Sequence, residues 1–190
     1  DRLELLLPYF SYKWNGEYVD MFPVTDGENT YWLVPLIVKL SAGDVPWSKD
    51  HSFMRFIGYA LVDVYNGDIK LIIIGNEPIS KLIKHIYKDI LIEEIPDWLK
   101  KQSRFPAEAF EYQVEMFNYY HIDDPATFIQ AREFYEIPEG VSTYFIIARY
   151  PGFQKPEFLG VISLQLKGSM GRNLAGFMVV RNDYPHLGEK

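Results

Sequence analysis

Cysteine is absent from this 190-residue chain, which excludes disulfides, thiolate metal sites and thiol nucleophiles. No run of basic residues is present either, and 19 Lys and Arg against 26 Asp and Glu leave a net charge of −7. Nucleic-acid affinity depends on cations gathered along the phosphates, so nucleic acid is excluded as a partner, and an anionic membrane surface with it. Long apolar runs are missing as well. The two longest, 31–40 and 69–74, fall short of the roughly 20 residues that a membrane-spanning helix requires. Gly168-Ser169-Met170-Gly171 has neither the Gly-x-Ser-x-Gly elbow nor the Gly-Lys-Ser/Thr ending of a phosphate cradle, and reads as a turn.

What is present fits a folded domain. The chain is 48% hydrophobic and 16% aromatic, long enough to bury a sizeable core as one soluble domain over residues 1–190, or one with a small lobe. It starts at Asp1, without methionine or an apolar signal core, and reads as a piece of something larger. The pattern predicts an α+β fold in which antiparallel strands at both ends flank a central group of helices. Aromatic and β-branched residues over 3–12, 18–24 and 30–40, separated by turn signals at Asn15-Gly16 and Asp26-Gly27, predict an opening meander. A loop over 43–50 precedes a strand over 55–65. Helices follow over 78–91 and 96–101, and strands return over 143–150, 158–166 and 174–181.

Asn66-Gly67 predicts a two-residue hairpin turn. Counting outward, Val64 faces Ile69, Asp63 faces Lys70 and Val62 faces Leu71, so that Asp63 and Lys70 pair on the polar side.

The densest pattern lies between Phe105 and Phe128. Pro106 suits the first turn of a helix and Glu108 favours its positive end. Val114, Phe117 and His121 or Tyr120 recur from Phe110 at helical spacing, with Glu108, Glu111, Glu115 and Asn118 opposite. Asp123-Asp124-Pro125 stops that helix, and Asp124 caps a second one over 125–131. Caps and aromatic anchors account for every position except Gln113 and His121.

This pattern resembles an uncharacterised family of prokaryotic membrane proteins, family 0182. Leu61-Val62-Asp63-Val64-Tyr65-Asn66-Gly67-Asp68-Ile69-Lys70-Leu71 is similar to the family upstream. Downstream, Phe134-Tyr135-Glu136-Ile137-Pro138, the strand ending at Pro151 and Gly171-Arg172-Asn173-Leu174-Ala175-Gly176-Phe177-Met178 match in order. The resemblance implies a longer protein with several transmembrane helices and a large extracytoplasmic region, of which this chain would be part. It implies no catalytic residues.

The remaining chemistry is sparse. His85 and Asp89 stand four apart on a predicted helix but lack a third metal ligand, and adjacent Glu93-Glu94 point apart. Gln113, His121, Asp123 and Asp124 are the candidate binding residues, with His121 and the two aspartates able to orient an imidazole or hold a hard cation. No catalytic residue, metal or cofactor is assigned. Tyrosines at positions 9, 12, 18, 31, 119, 120, 135, 144 and 150 serve a core, an interface or a sugar platform equally well. The expected function is a non-enzymatic domain packing against the rest of its own membrane-anchored chain or another envelope protein, with self-association of the isolated piece. An extracellular enzyme with a site near His121, Asp123 and Asp124 and a polysaccharide-binding module are the alternatives.

Overall fold

A computed structural model describes residues 2–14, 16–41, 52–129, 134–168 and 173–190. The expected loop over 43–50 lies outside them, as do Asn15, the end of the predicted 125–131 helix, and positions 169–171 of the expected turn. The architecture is α+β with antiparallel sheets, as the sequence pattern predicts. The chain divides into two compact units, Asp1–Gln102 and Ser103–Lys190.

In the first unit, helix α1 (Arg2–Leu6) precedes a small hairpin of β1 (Lys13–Trp14) and β2 (Glu17–Tyr18). Strands β3 (Phe22–Thr25), β4 (Thr30–Ser41), β5 (Ser52–Asp63) and β6 (Ile69–Ile73) form an antiparallel sheet in that order. The predicted strand over 3–12 is therefore a correction. Leucine is a strong helix former, so Arg2-Leu3-Glu4-Leu5-Leu6 coils, and Pro8 stops the helix. The Tyr12 hydroxyl then donates to the Leu7 carbonyl at 3.0 Å, closing the helix end. Ser11 of the stretch reaches the sheet, bridging to Ile37. Leu33, Leu36, Ile57, Tyr59, Leu71 and Ile72 are buried around the long β4–β5 pair.

The β5–β6 hairpin is also corrected. Val62 pairs with Ile69 and Leu61 with Lys70, two residues away from the register counted from Asn66-Gly67. The Asp63 carboxylate accepts the Tyr65 and Asn66 N–H groups at 2.8 and 2.9 Å. It thereby starts a helical turn, which the Gly67 N–H closes on the Asp63 carbonyl at 3.0 Å. Gly67, at φ 74°, supplies the left-handed exit at no steric cost. An aspartate that caps its own turn makes the loop four residues long and leaves Lys70 opposite Leu61 instead of Asp63.

After β6, α2 (Pro78–Ile86) ends sooner than predicted, and a 3₁₀ turn (Lys88–Ile90) carries Leu91 to the β6 edge, where the Ile92 N–H donates to the Leu71 carbonyl at 2.8 Å. Helix α3 (Asp97–Lys100) follows, with Leu99 buried.

The second unit opens with α4 (Ala107–Tyr120), which follows Pro106 at the N-cap position, and α5 (Pro125–Ile129). Strands β7 (Tyr135–Glu136), β8 (Tyr144–Ala148), β9 (Glu157–Leu166) and β10 (Leu174–Arg181) form its sheet. Strand β9 pairs antiparallel with β10, β7 and β8. Phe110, Val114, Leu159, Ile162 and Val180 are wholly buried. One side of α4 differs from expectation: Asn118 is 4% exposed and Phe117 is 43% exposed. At 100° per residue Asn118 lies on the flank of the Phe110–Val114 stripe, while the Phe117 ring stacks on His121 with centroids 5.0 Å apart.

Candidate interaction surfaces

The junction of α4 and α5 spends its polar groups locally. His121 caps α4, with Nδ1 2.9 Å from the Phe117 carbonyl, and its ring lies against Phe117 and Tyr135, the latter at 5.2 Å. Asp124 accepts the Thr127 N–H at 2.7 Å and so caps α5. The hydrogen bonds from Thr127 hold its carboxyl below the usual range. Asp123 is exposed. Gln113 sits eight residues before His121, about two turns up α4, half-buried and with no partner for Oε1 among the described residues. His121, Asp123 and Asp124 are thus neighbours, and Gln113 stands apart from them.

The other sequence candidates are dispersed. His85 and Asp89 are exposed, and α2 ends between them, so the one-helix spacing is lost. Glu93 and Glu94 are exposed in a bend. Among the described residues, no group of three or more His, Asp or Glu stands where it could hold a metal ion. The tyrosines divide: Tyr12 is buried, Tyr31 stacks on Trp98 at 5.8 Å, and Tyr9, Tyr18 and Tyr144 are exposed.

What stands out instead is uncharged sheet edge. Strand β8, Tyr144-Phe145-Ile146-Ile147-Ala148, pairs with β9 and, among the described residues, with no other strand. The Thr143 N–H just before it donates to the Glu111 carboxylate at 2.8 Å, away from β9. Backbone direction alternates along a strand, so Phe145 and Ile147 also turn their N–H and C=O groups outward. Ile147 is 73% exposed. Strand β10 is the opposite edge, and Leu174-Ala175-Gly176-Phe177-Met178-Val179-Val180 carries no charge before Arg181. Leu174 and Phe177 are about half exposed. Arg181 is already engaged: Nε and Nη2 each donate to Glu157 at 2.7 Å, and Nη1 donates to Glu189 at 3.0 Å. That fork holds the Glu157 carboxyl below, and the Arg181 guanidinium above, its ordinary pKa.

The first unit carries an apolar slot of about 210 Å³ between α1, the β1–β2 hairpin and the β4–β5 sheet. Trp32 and Val62, directly opposed in the sheet, belong to its lining. Strands β8 and β10 fall within the strands predicted over 143–150 and 174–181, but that each is a sheet edge follows from the strand order.

The model of an uncharacterised protein family, UPF0182, matches residues 18–190. A UPF0182 protein of Methanospirillum hungatei is 25% identical across the whole of this chain and 22% of its own length. One from Solibacter usitatus is 26% identical, also across the whole chain and 22% of its length. A third, from Sulfurovum, is 28% identical over 68% of the chain and 15% of its length. The chain therefore spans about a fifth of the curated relatives it matches, or less. No solved structure matches it.

Proposed function

The chain belongs to the uncharacterised protein family UPF0182, and from that premise we propose that it is a non-enzymatic interaction or structural domain of a longer membrane-anchored protein. In this reading it stands on the extracytoplasmic face and packs against the rest of its own polypeptide or another envelope component. The observation that carries the reading is the pair of edge strands, β8 and β10, on one four-stranded sheet, with no charged residue in β8 and none in β10 before Arg181. Strands that face water alone are usually protected by charge, proline or twist, because open N–H and C=O groups template pairing. The local engagement of His121 and Asp124 supports a scaffold role for the residues that the sequence offered as a site. The membrane anchor and the extracytoplasmic side rest on the family resemblance; among the described residues no helix is long and apolar enough to cross a membrane.

Light scattering of the isolated 190-residue chain across a dilution series tests the reading. Uncovered edges should make the mass rise with concentration, and lysine at the edge, as Ile147→Lys combined with Phe177→Lys, should return it to monomer. A chain that stays monomeric at the highest attainable concentration removes the support that the edges lend.

A further inference from the structure

The outer edge of β10 is occupied at one end, and the occupant sets a direction. The Arg181 N–H donates to the Glu189 carbonyl at 2.8 Å, and the Gly188 N–H donates to the Arg181 carbonyl at 2.8 Å. Both backbone groups of Arg181 therefore face away from β9, whereas the next N–H, that of Asn182, donates to Phe158 in β9 at 3.0 Å. By the alternation of an antiparallel ladder, Val179 and Phe177 turn their backbone groups to the same outer side as Arg181. No partner for them is found among the described residues.

Gly188 and Glu189 together oppose Arg181, and Gly188 has φ 87°. Two residues against one, led by a glycine in the left-handed region, is a β-bulge, a feature of paired strands. The chain has already turned back by this point: the His186 N–H donates to Asp183 at 2.9 Å and the Glu189 N–H to His186 at 3.0 Å. Its next residue, Lys190, is held with the ammonium 5.7 Å from the centre of the Phe105 ring. Residues 188 and 189 thus run back against the end of β10 as turn and coil, antiparallel to it and at the point where Val179 and Phe177 come next.

We propose that the edge of β10 is completed by the polypeptide's own next segment, an extended strand continuing beyond Lys190 antiparallel to β10. The first residue past Lys190 lies opposite Val179 and the third opposite Phe177, each exchanging two backbone hydrogen bonds with its partner. The choice of occupant rests on the direction of residues 188 and 189; the relatives are longer than this chain, which spans 22% of one of them. Phe177 and Val179 share a sheet face, and Phe177 is 48% exposed, so the positions opposite them suit β-branched or aromatic side chains. This deepens the interaction-domain reading and rests on it.

Residue-resolved amide exchange in the full-length protein tests the proposal. Phe177 and Val179 should exchange roughly a hundredfold more slowly than open amides, at every protein concentration. Val179→Pro removes an outward donor and leaves the bonds to β9 intact; it should speed exchange at Phe177, whereas Val179→Ala should not. Should Val179→Pro fail to fold, the unmutated protein still decides. Fast exchange at Phe177 and Val179 overturns the proposal, and so does protection that vanishes on dilution, which assigns the edge to a second copy. If those two are fast while Phe145 and Ile147 of β8 are slow, the interaction-domain reading survives alone; if all four are fast, both fail.

Discussion

The side-chain oxygen of Asn182 accepts the backbone N–H of Phe105 at 2.6 Å, joining residues 77 apart in sequence at a buried point of the second unit. Asn182 is 1% exposed and Phe105 7%, so water cannot replace the bond. Removing one partner of a buried hydrogen bond costs the desolvation of the other. Asn182→Ala should therefore destabilise the protein by about 2 kcal/mol, measured by denaturant unfolding. A loss below about 0.5 kcal/mol, the range of a neutral surface change, would contradict this role.

Asp63 offers a second test, since the sequence assigned it to Lys70 and the structure assigns it to its own turn. Asp63→Ala should cost about 1 kcal/mol, as loss of a cap does, while a double-mutant cycle with Lys70→Ala should give a coupling within about 0.3 kcal/mol of zero. Coupling near the full cost of Asp63→Ala would restore the direct pair and the two-residue turn.

The turn between β3 and β4 predicts a pH dependence. Asp26 accepts the Asn29 and Glu28 N–H groups at 2.7 and 2.9 Å and the Tyr31 hydroxyl at 2.9 Å. Led by the bond from Asn29, these lower its pKa from 3.8 to about 2. A carboxyl with a depressed folded-state pKa stabilises the fold fully above its unfolded value and loses that contribution as pH falls through the folded one. The gap in Tm between the unsubstituted protein and Asp26→Ala should be constant down to about pH 4 and close toward pH 2. A gap that widens on acidification would contradict the assignment.

The parts legible in the sequence were those where local pattern and tertiary demand agree. The strands around β4, β5, β9 and β10 are long enough for their apolar content to decide, and Asp124 is recognisable as a cap because proline follows it. The failures are equally specific. Leu3 to Leu6 read as strand or helix by hydrophobicity alone, and the choice was settled by leucine's helix propensity and by Tyr12, whose hydroxyl reaches back five residues. The Asn66-Gly67 signal was outcompeted by Asp63, a side chain three residues earlier that no dipeptide rule weighs. For function, His121 attracted attention by its chemistry, but its ring partner Tyr135 and its bond to Phe117 depend on packing. Strand β8 lies within the strand predicted over 143–150, but its place at a sheet edge depends on strand order, which no local pattern carries.

Cysteine labelling in the full-length protein tests the central claim most directly, and the absence of natural cysteine from these 190 residues leaves this region without background. Tyr65, fully exposed at the tip of the β5–β6 hairpin, and Ile147, 73% exposed on the β8 edge, are replaced singly by cysteine. A membrane-impermeant maleimide is then applied to intact cells and, separately, to the isolated chain. The account predicts that both sites label in the isolated chain, and that in cells Tyr65→Cys labels while Ile147→Cys is shielded. Equal labelling of both in cells would show the β8 edge to be uncovered and contradict the interaction-domain account.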